Sequence, residues 1–171
     1  MSIEEELKEH AENANEPFDK RVAASMAIIA AALAVVSVLG HIKTTEELRM
    51  QEKAADEWAH HQAQMIRAYQ SAATADVLSA LHSPAAAAYS KNGDHFKGDA
   101  ARTQEQAKEN ETESDLAGKK ALRLELGEVC LEVAIVFASL AILSKRAFLW
   151  YGGILAGVAG AVIALTTLTI R

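Results

Sequence analysis

The chain has 171 residues, a net charge of −6 and a mean hydropathy of only +0.03. The negative balance argues against nucleic-acid binding, and the scarcity of aromatic residues, 5%, argues against a large β-rich domain. The near-zero hydropathy hides a split: charge is concentrated in residues 1–21 and 43–125 and apolar residues in three blocks, where a soluble domain would interleave them.

Residues 1–21 form an acidic N-terminal arm. Ile3, Leu7, His10 and Ala14 recur at helical spacing, Ser2 with Glu5 fits a capping box, and Pro17 should stop any helix there. Residues 22–42 are the first expected membrane span: apolar, alanine-rich, flanked by Lys20 and Arg21 before and Lys43 after. A cleaved signal peptide is disfavoured by the acidic arm and by the length of the run. Ala23, Ala27, Ala30, Ala31 and Ala34 offer a small-residue surface suited to close helix contact.

Residues 43–125 contain no apolar run of spanning length. Leu48, Ala55, Trp58, Gln62, Met65, Ile66, Tyr69, Ala73, Val77 and Leu81 predict an amphipathic helix. It can continue directly from the first span; Gly40 offers a bend and Thr44 with Glu47 a fresh N-cap. A breaker zone is expected over 83–98. Ser83-Pro84 should start a short helix and Asn92-Gly93 should stop it. From Asp99 a second helix carries Ala107, Ser114, Ala117 and Ala121 on a thin apolar side, so it needs a partner helix. An extramembrane antiparallel helical hairpin is the simplest construction.

Two further spans follow, residues 126–144 and 147–170, joined by the charged step Ser144-Lys145-Arg146. Each is long enough to cross a hydrocarbon core of about 30 Å as a helix. The short connection makes them antiparallel. Phe148, Trp150 and Tyr151 predict an aromatic belt at one interface. Gly153, Gly157 and Gly160 form overlapping small-residue pairs that predict helix packing, here between copies of the chain. The expected fold class is therefore an all-α integral membrane protein with three transmembrane helices. The Lys145-Arg146 turn points to the cytoplasm, which puts the N-terminus inside and residues 43–125 in the periplasm. Lys43, Arg49, Lys53, Lys119, Lys120 and Arg123 weigh the other way, but the segment is long enough for loop charge to lose its hold.

Glu125, Glu128 and Glu132 share one face at the start of the second span, and Glu132 lies roughly 9 Å inside it. A carboxylate at that depth costs about 2–3 kcal/mol or more and should face protein or water. Glu128 and Glu132, with His41 and Lys43 as possible partners, are the candidate ion or proton site. A paired packing role is the plainer reading. Asp56/His60 and Glu57/His61 have metal-ligand spacing, but no further cluster supports them, so no metal or other cofactor is expected. Trp58 suits the hairpin core. The single cysteine, Cys130, rules out an intrachain disulfide. There is no Walker loop, GxSxG, CxxC pair or HExxH, and no enzyme is expected.

The chain resembles a family of uncharacterised bacterial membrane proteins, defined only as a domain of unknown function. Three blocks carry the resemblance: Glu9-His10-Ala11 with Glu16-Pro17; Ala55-Asp56-Glu57-Trp58-Ala59-His60-His61-Gln62-Ala63; and Leu143-Ser144-Lys145-Arg146 with Phe148-Leu149-Trp150-Tyr151. The resemblance implies a three-span inner-membrane protein and carries over no activity. Similar members tend to have aromatics where His60 and His61 stand, which favours packing over a metal site. The expected role is a homo-oligomeric scaffold that meets lipid and itself and displays its hairpins to a protein partner. The alternative is an oligomeric channel with Glu128 or Glu132 near its axis.

Overall fold

A computed structural model describes residues 17–170, so the expected capping box at Ser2 and Glu5 lies outside the described residues. The described residues form three α-helices: α1, Pro17–Ala80; α2, Ala86–Ser144; and α3, Ala147–Leu165, followed by a 3₁₀ turn, Thr166–Thr169. Among the described residues there is no strand. Each helix contains a stretch long and apolar enough to cross a membrane. The chain divides into two compact units. One takes residues up to Thr44 and from Lys119 onward; the other is Thr45–Gly118.

Pro17 opens α1, a position where its missing N–H costs nothing. The helix runs through Gly40 and Thr44 without a break or a fresh N-cap. Gly40 is buried, and a Cβ there would stand 3.6 Å from Leu124 Cβ, so the glycine serves packing. The Thr44 hydroxyl reaches the Gly40 carbonyl at 3.2 Å and Glu125 Oε1 at 3.4 Å; its one proton can serve either.

In the 45–118 unit, α1 and α2 pack antiparallel. Glu47 lies beside Ser114, whose hydroxyl donates to the Glu47 carbonyl at 3.2 Å, and His61 lies beside Ala100. The buried residues recur every seventh position. Ala54, Ala68 and Ala75 fall on this repeat in α1, with half-buried His61 between them. On α2, Ala100, Ala107 and Ser114 form one row and Thr103 and Ala117 a second. A seven-residue repeat is the pattern of a supercoiled helix pair. Here the repeat is filled by alanine and small polar residues, which lets the backbones come close.

This outcome corrects one expectation. Apart from Trp58, which reaches Glu111 of α2, and half-buried Met65, the apolar face read on α1 does not pack against α2. Leu48, Ile66, Tyr69, Val77 and Leu81 are each 57–70% exposed. Their bulk is the reason: a seam built around Ala68, fully buried, has no room for them. The thin alanine side expected on α2, with Ala107, Ser114, Ala117 and Ala121, is buried throughout.

The breaker zone is also shorter than 83–98. Helix α1 ends in a Schellman turn, with His82 at φ 54°, its N–H donating to Ser79 O (2.9 Å) and Ser83 N–H to Leu78 O (2.9 Å). Ser83 Oγ accepts from Ala85 N–H at 3.4 Å, and α2 begins at Ala86. Asn92-Gly93 does not stop it. A Cβ on Gly93 would lie 3.4 Å from the Ala68 carbonyl oxygen and 3.6 Å from Ser71 Cβ, so this glycine marks a close crossing, not a cap.

In the other unit, two apolar clusters hold the three helices. Val36, Leu124, Leu131 and Ala164 form one, with Ile29 and Leu33 against it. Val22, Ala138 and Ala141 form the second, with Phe18, Met26 and Trp150 around them. Trp150 is turned inward: its ring stands edge-on to Phe18 at 6.0 Å and its Nε1–H donates to Ser25 Oγ at 3.0 Å. Only Phe148 and Tyr151 remain exposed from the expected aromatic belt. At the α2–α3 turn, Lys145 adopts φ 53° and its Nζ lies 2.5 Å from Asp19 Oδ2. The 3₁₀ turn follows from the threonines. The hydroxyls of Thr166, Thr167 and Thr169 each donate to the carbonyl three residues earlier, at 2.6–2.7 Å.

The face assignment in the 45–118 unit is testable with neighbouring residues. Ala68→Leu overfills the seam and should lower stability by about 1–3 kcal/mol. Tyr69→Ala, on the exposed face, should change it by less than about 0.5 kcal/mol. Thermal unfolding followed by circular dichroism checks the pair, and the reverse order would contradict the observed seam.

Candidate functional site

The acidic face at the start of the second span is divided by the fold. Glu125 is exposed and sits beside Thr44, as described above. Glu128 is half-buried, and one of its oxygens lies 4.0 Å from where a Cβ on Gly40 would be. Both therefore lean on the last turns of the α1 span. Glu132 does not share this environment. It is exposed, on an outward face of α2 with Val129, Val133 and Val136. His41 is exposed and makes a contact within the chain. The structure thus brings Glu125 and Glu128 to one α1–α2 contact and leaves Glu132 apart from it. Residue spacing puts all three near one helix face. It does not say that the neighbouring helix covers only part of that face.

Gly153, Gly157 and Gly160 of α3 are buried, against this chain's own helices. A Cβ on Gly153 would stand 3.0 Å from the Ala134 carbonyl oxygen. A Cβ on Gly157 would meet Ile29 at 3.4 Å and Ala134 Cβ at 3.5 Å. The closest approach is reciprocal: a Cβ on Gly160 would stand 2.7 Å from Gly127 O, and one on Gly127 would stand 2.9 Å from Gly160 O. Two helix backbones touch there, a geometry only glycine permits. The expectation that Gly153, Gly157 and Gly160 join separate copies is corrected accordingly: this surface is occupied within the chain. Gly127, which completes the contact, was not singled out from the sequence. Its signal is the seven-residue repeat it shares with Ala134 and Ala141, both fully buried. The alanine face of α1 behaves differently: Ala23, Ala27, Ala30, Ala31 and Ala34 are exposed.

The histidine pair has structural partners. His61 Nδ1–H donates to the Ala100 carbonyl at 2.8 Å, and its ring stands edge-on to Trp58 at 5.6 Å. Trp58 Nε1–H donates to Glu111 Oε1 at 2.8 Å. The Gln64 amide donates to His60 Nε2 at 3.0 Å. Among the described residues no group of three or more His, Cys, Asp or Glu is placed to hold a metal ion.

Taken together, the described residues form an all-helical architecture with three helices long and apolar enough to cross a membrane by length and composition. Residues 18–170 match the model of a domain of unknown function, DUF4337, and the chain belongs to that family. No curated protein and no solved structure matches it.

Glycine positions within α3 supply a matched test. Gly160→Leu forces α3 off α2 and should cost about 3 kcal/mol, read as a lower unfolding midpoint in detergent. Gly152→Leu, where an added Cβ meets nothing within 4 Å, should leave stability unchanged or raise it by up to about 1 kcal/mol. Equal effects would place the tight contact elsewhere.

Proposed function

We propose that the protein is an integral protein of the bacterial inner membrane that assembles into a homo-oligomeric scaffold and presents its 45–118 hairpin to a partner. One observation carries this reading. The hairpin seam is filled with alanine, while its larger apolar side chains, Ile66, Tyr69, Val77 and Leu81, face outward. Between residues 58 and 90 the only formal charges are Arg67 and Asp76. An exposed apolar stripe with so little charge is the mark of an interaction surface. The family membership adds no activity.

Three spans put the termini on opposite sides of the membrane. The Lys145-Arg146 turn supports a cytoplasmic N-terminus and a periplasmic hairpin. A cysteine at Asn92, in a Cys130→Ser background, should react with a membrane-impermeant thiol reagent in intact cells. Labelling only after the inner membrane is broken would reverse the topology.

The second reading, an oligomeric channel with Glu128 or Glu132 near its axis, draws on the exposed carboxylate of Glu132. Against it, Glu128 leans on Gly40 of the same chain. One set of reconstituted samples separates the readings. Under the scaffold reading, Ile66→Asp with Val77→Asp should reduce the mass in detergent from oligomer toward monomer, with the unfolding midpoint of each chain kept. A wild type that is monomeric at every concentration would sink it. Planar-bilayer recordings of wild type, Glu132→Gln and Glu132→Leu should show no current, with Leu neutral or stabilising. Reproducible wild-type currents lost in Gln would favour the channel instead.

A further inference from the structure

We propose that the spanning unit binds an anionic phospholipid in a pocket at the end opposite the Lys145-Arg146 turn. The pocket has a volume of about 300 Å³ and is lined by Leu39, Ile42 and Lys43 within α1, Lys120 and Leu124 within α2, and the 3₁₀ turn with Ile170. Leu39, Leu124, Leu168 and Ile170 supply apolar walls, and Lys43 and Lys120 supply the charge. Among the described residues, no carboxylate lines it.

The arrangement along the helices specifies an amphiphile. Lys43 follows Leu39 by four residues on α1, in the direction leaving the apolar stretch. Lys120 precedes Leu124 by four on the antiparallel α2, so it is displaced in the same direction. Each ammonium is therefore attached about 6 Å further toward the polar side than its apolar neighbour. A phosphate headgroup above an acyl chain has this same order. Lys43 also makes a contact within the chain, and an ammonium has three donors, so a phosphate oxygen can share it.

The third wall leaves the pocket uncovered. The threonine hydroxyls that tighten the 3₁₀ turn leave Leu168 81% exposed. Arg123 holds this turn against α2 by donating from an Nη to Thr166 Oγ1 at 3.0 Å. Glu125, the carboxylate nearest in sequence on α2, is turned to Thr44. A second copy is a poorer occupant. A two-fold contact brings a patch onto itself, so lysines would meet lysines. Basic pockets between membrane helices are suited to phospholipid headgroups.

The inference depends on the membrane reading but on neither assembly nor conduction. Its test uses the full chain, purified in detergent, titrated with phosphatidylglycerol or phosphatidylcholine and followed by native mass spectrometry. Phosphatidylglycerol should bind at least about tenfold more tightly, since no choline cation offsets its phosphate and each lysine near net anionic lipid is worth about fivefold. Lys43→Gln with Lys120→Gln should erase that preference, and Lys43→Arg with Lys120→Arg should keep it. Lys145→Gln with Arg146→Gln, at the other end, should keep it too. Thr167→Trp should fill the slot and remove lipid without altering the subunit mass of the assembly. Equal binding of the two lipids, or a preference that survives the Gln pair, overturns the proposal, and the wild-type comparison alone decides if the Gln pair fails to fold. Inorganic phosphate competing as well as the lipid would make this an anion site only. Loss of oligomer in Thr167→Trp would assign the pocket to a second copy. Failure in any of these arms leaves the hairpin and current measurements untouched.

Discussion

Close backbone approach at Gly127 and Gly160 is the contact on which the arrangement of the spanning unit rests. Each glycine lies where the other's carbonyl oxygen leaves no space for a side chain. Inside a bilayer, lipid tails are as apolar as leucine, so helices gain little from burying large apolar side chains against one another. They gain from short-range dispersion and from weak backbone contacts, both of which need small residues at the seam. Ala134, Ala138 and Ala141 extend the seam on α2, and Gly153, Gly157 and Ala164 on α3. The large residues are displaced outward as a consequence: Ile28, Leu155 and Val158 are exposed in the chain and suited to lipid.

The same inside-out construction governs the 45–118 unit, and there it explains what could and could not be read from the sequence. Helix content, the turn near Ser83, the α2–α3 turn and three spanning stretches follow from apolar run lengths, proline and charge. Those signals are local. The choice of seam is not. On α1 the apolar moment points to Ile66, Tyr69 and Val77, yet the packed row is Ala54, Ala68 and Ala75. Alanine contributes little to an amphipathic pattern, so a seam of alanines is nearly silent beside a stripe of larger residues. On α2 no competing stripe exists in this unit, and there Ala107, Ser114 and Ala117 are correctly identified. Gly93 fails for a related reason: Asn-Gly reads as a stop, but the glycine is required by the Ala68 carbonyl across the seam. A glycine needed for close approach and one needed for a turn look alike in a single sequence.

The candidate site was partly legible on the same terms. Spacing puts Glu125, Glu128 and Glu132 on one side of α2, but α1 subtends only part of that side. Thr44 and Gly40 take the first two, and Glu132 falls beyond their reach. The packing glycines were visible as a pattern, whereas their partner could not be: a small-residue face fits a neighbouring helix of the same chain as well as one from another copy. The turn between α2 and α3 is two residues long, so α3 meets α2 before any other helix can compete for it.

That order of events shifts where self-association can act. With the α3 glycines occupied, surfaces open to a second copy include the alanine face of α1 at Ala23, Ala27, Ala30 and Ala34, and the outward stripe of the hairpin. They differ in driving force. The alanine face would lie in lipid, where association gains only the difference between helix–helix and helix–lipid packing. The hairpin stripe would lie in water, where burying a side chain such as Ile66 or Leu81 gains about 1.5–3 kcal/mol. A helix pair whose core is alanine has little apolar area with which to hold itself together. The outer stripe carries the larger apolar side chains, so a second copy would gain more by covering it than by meeting the alanine face.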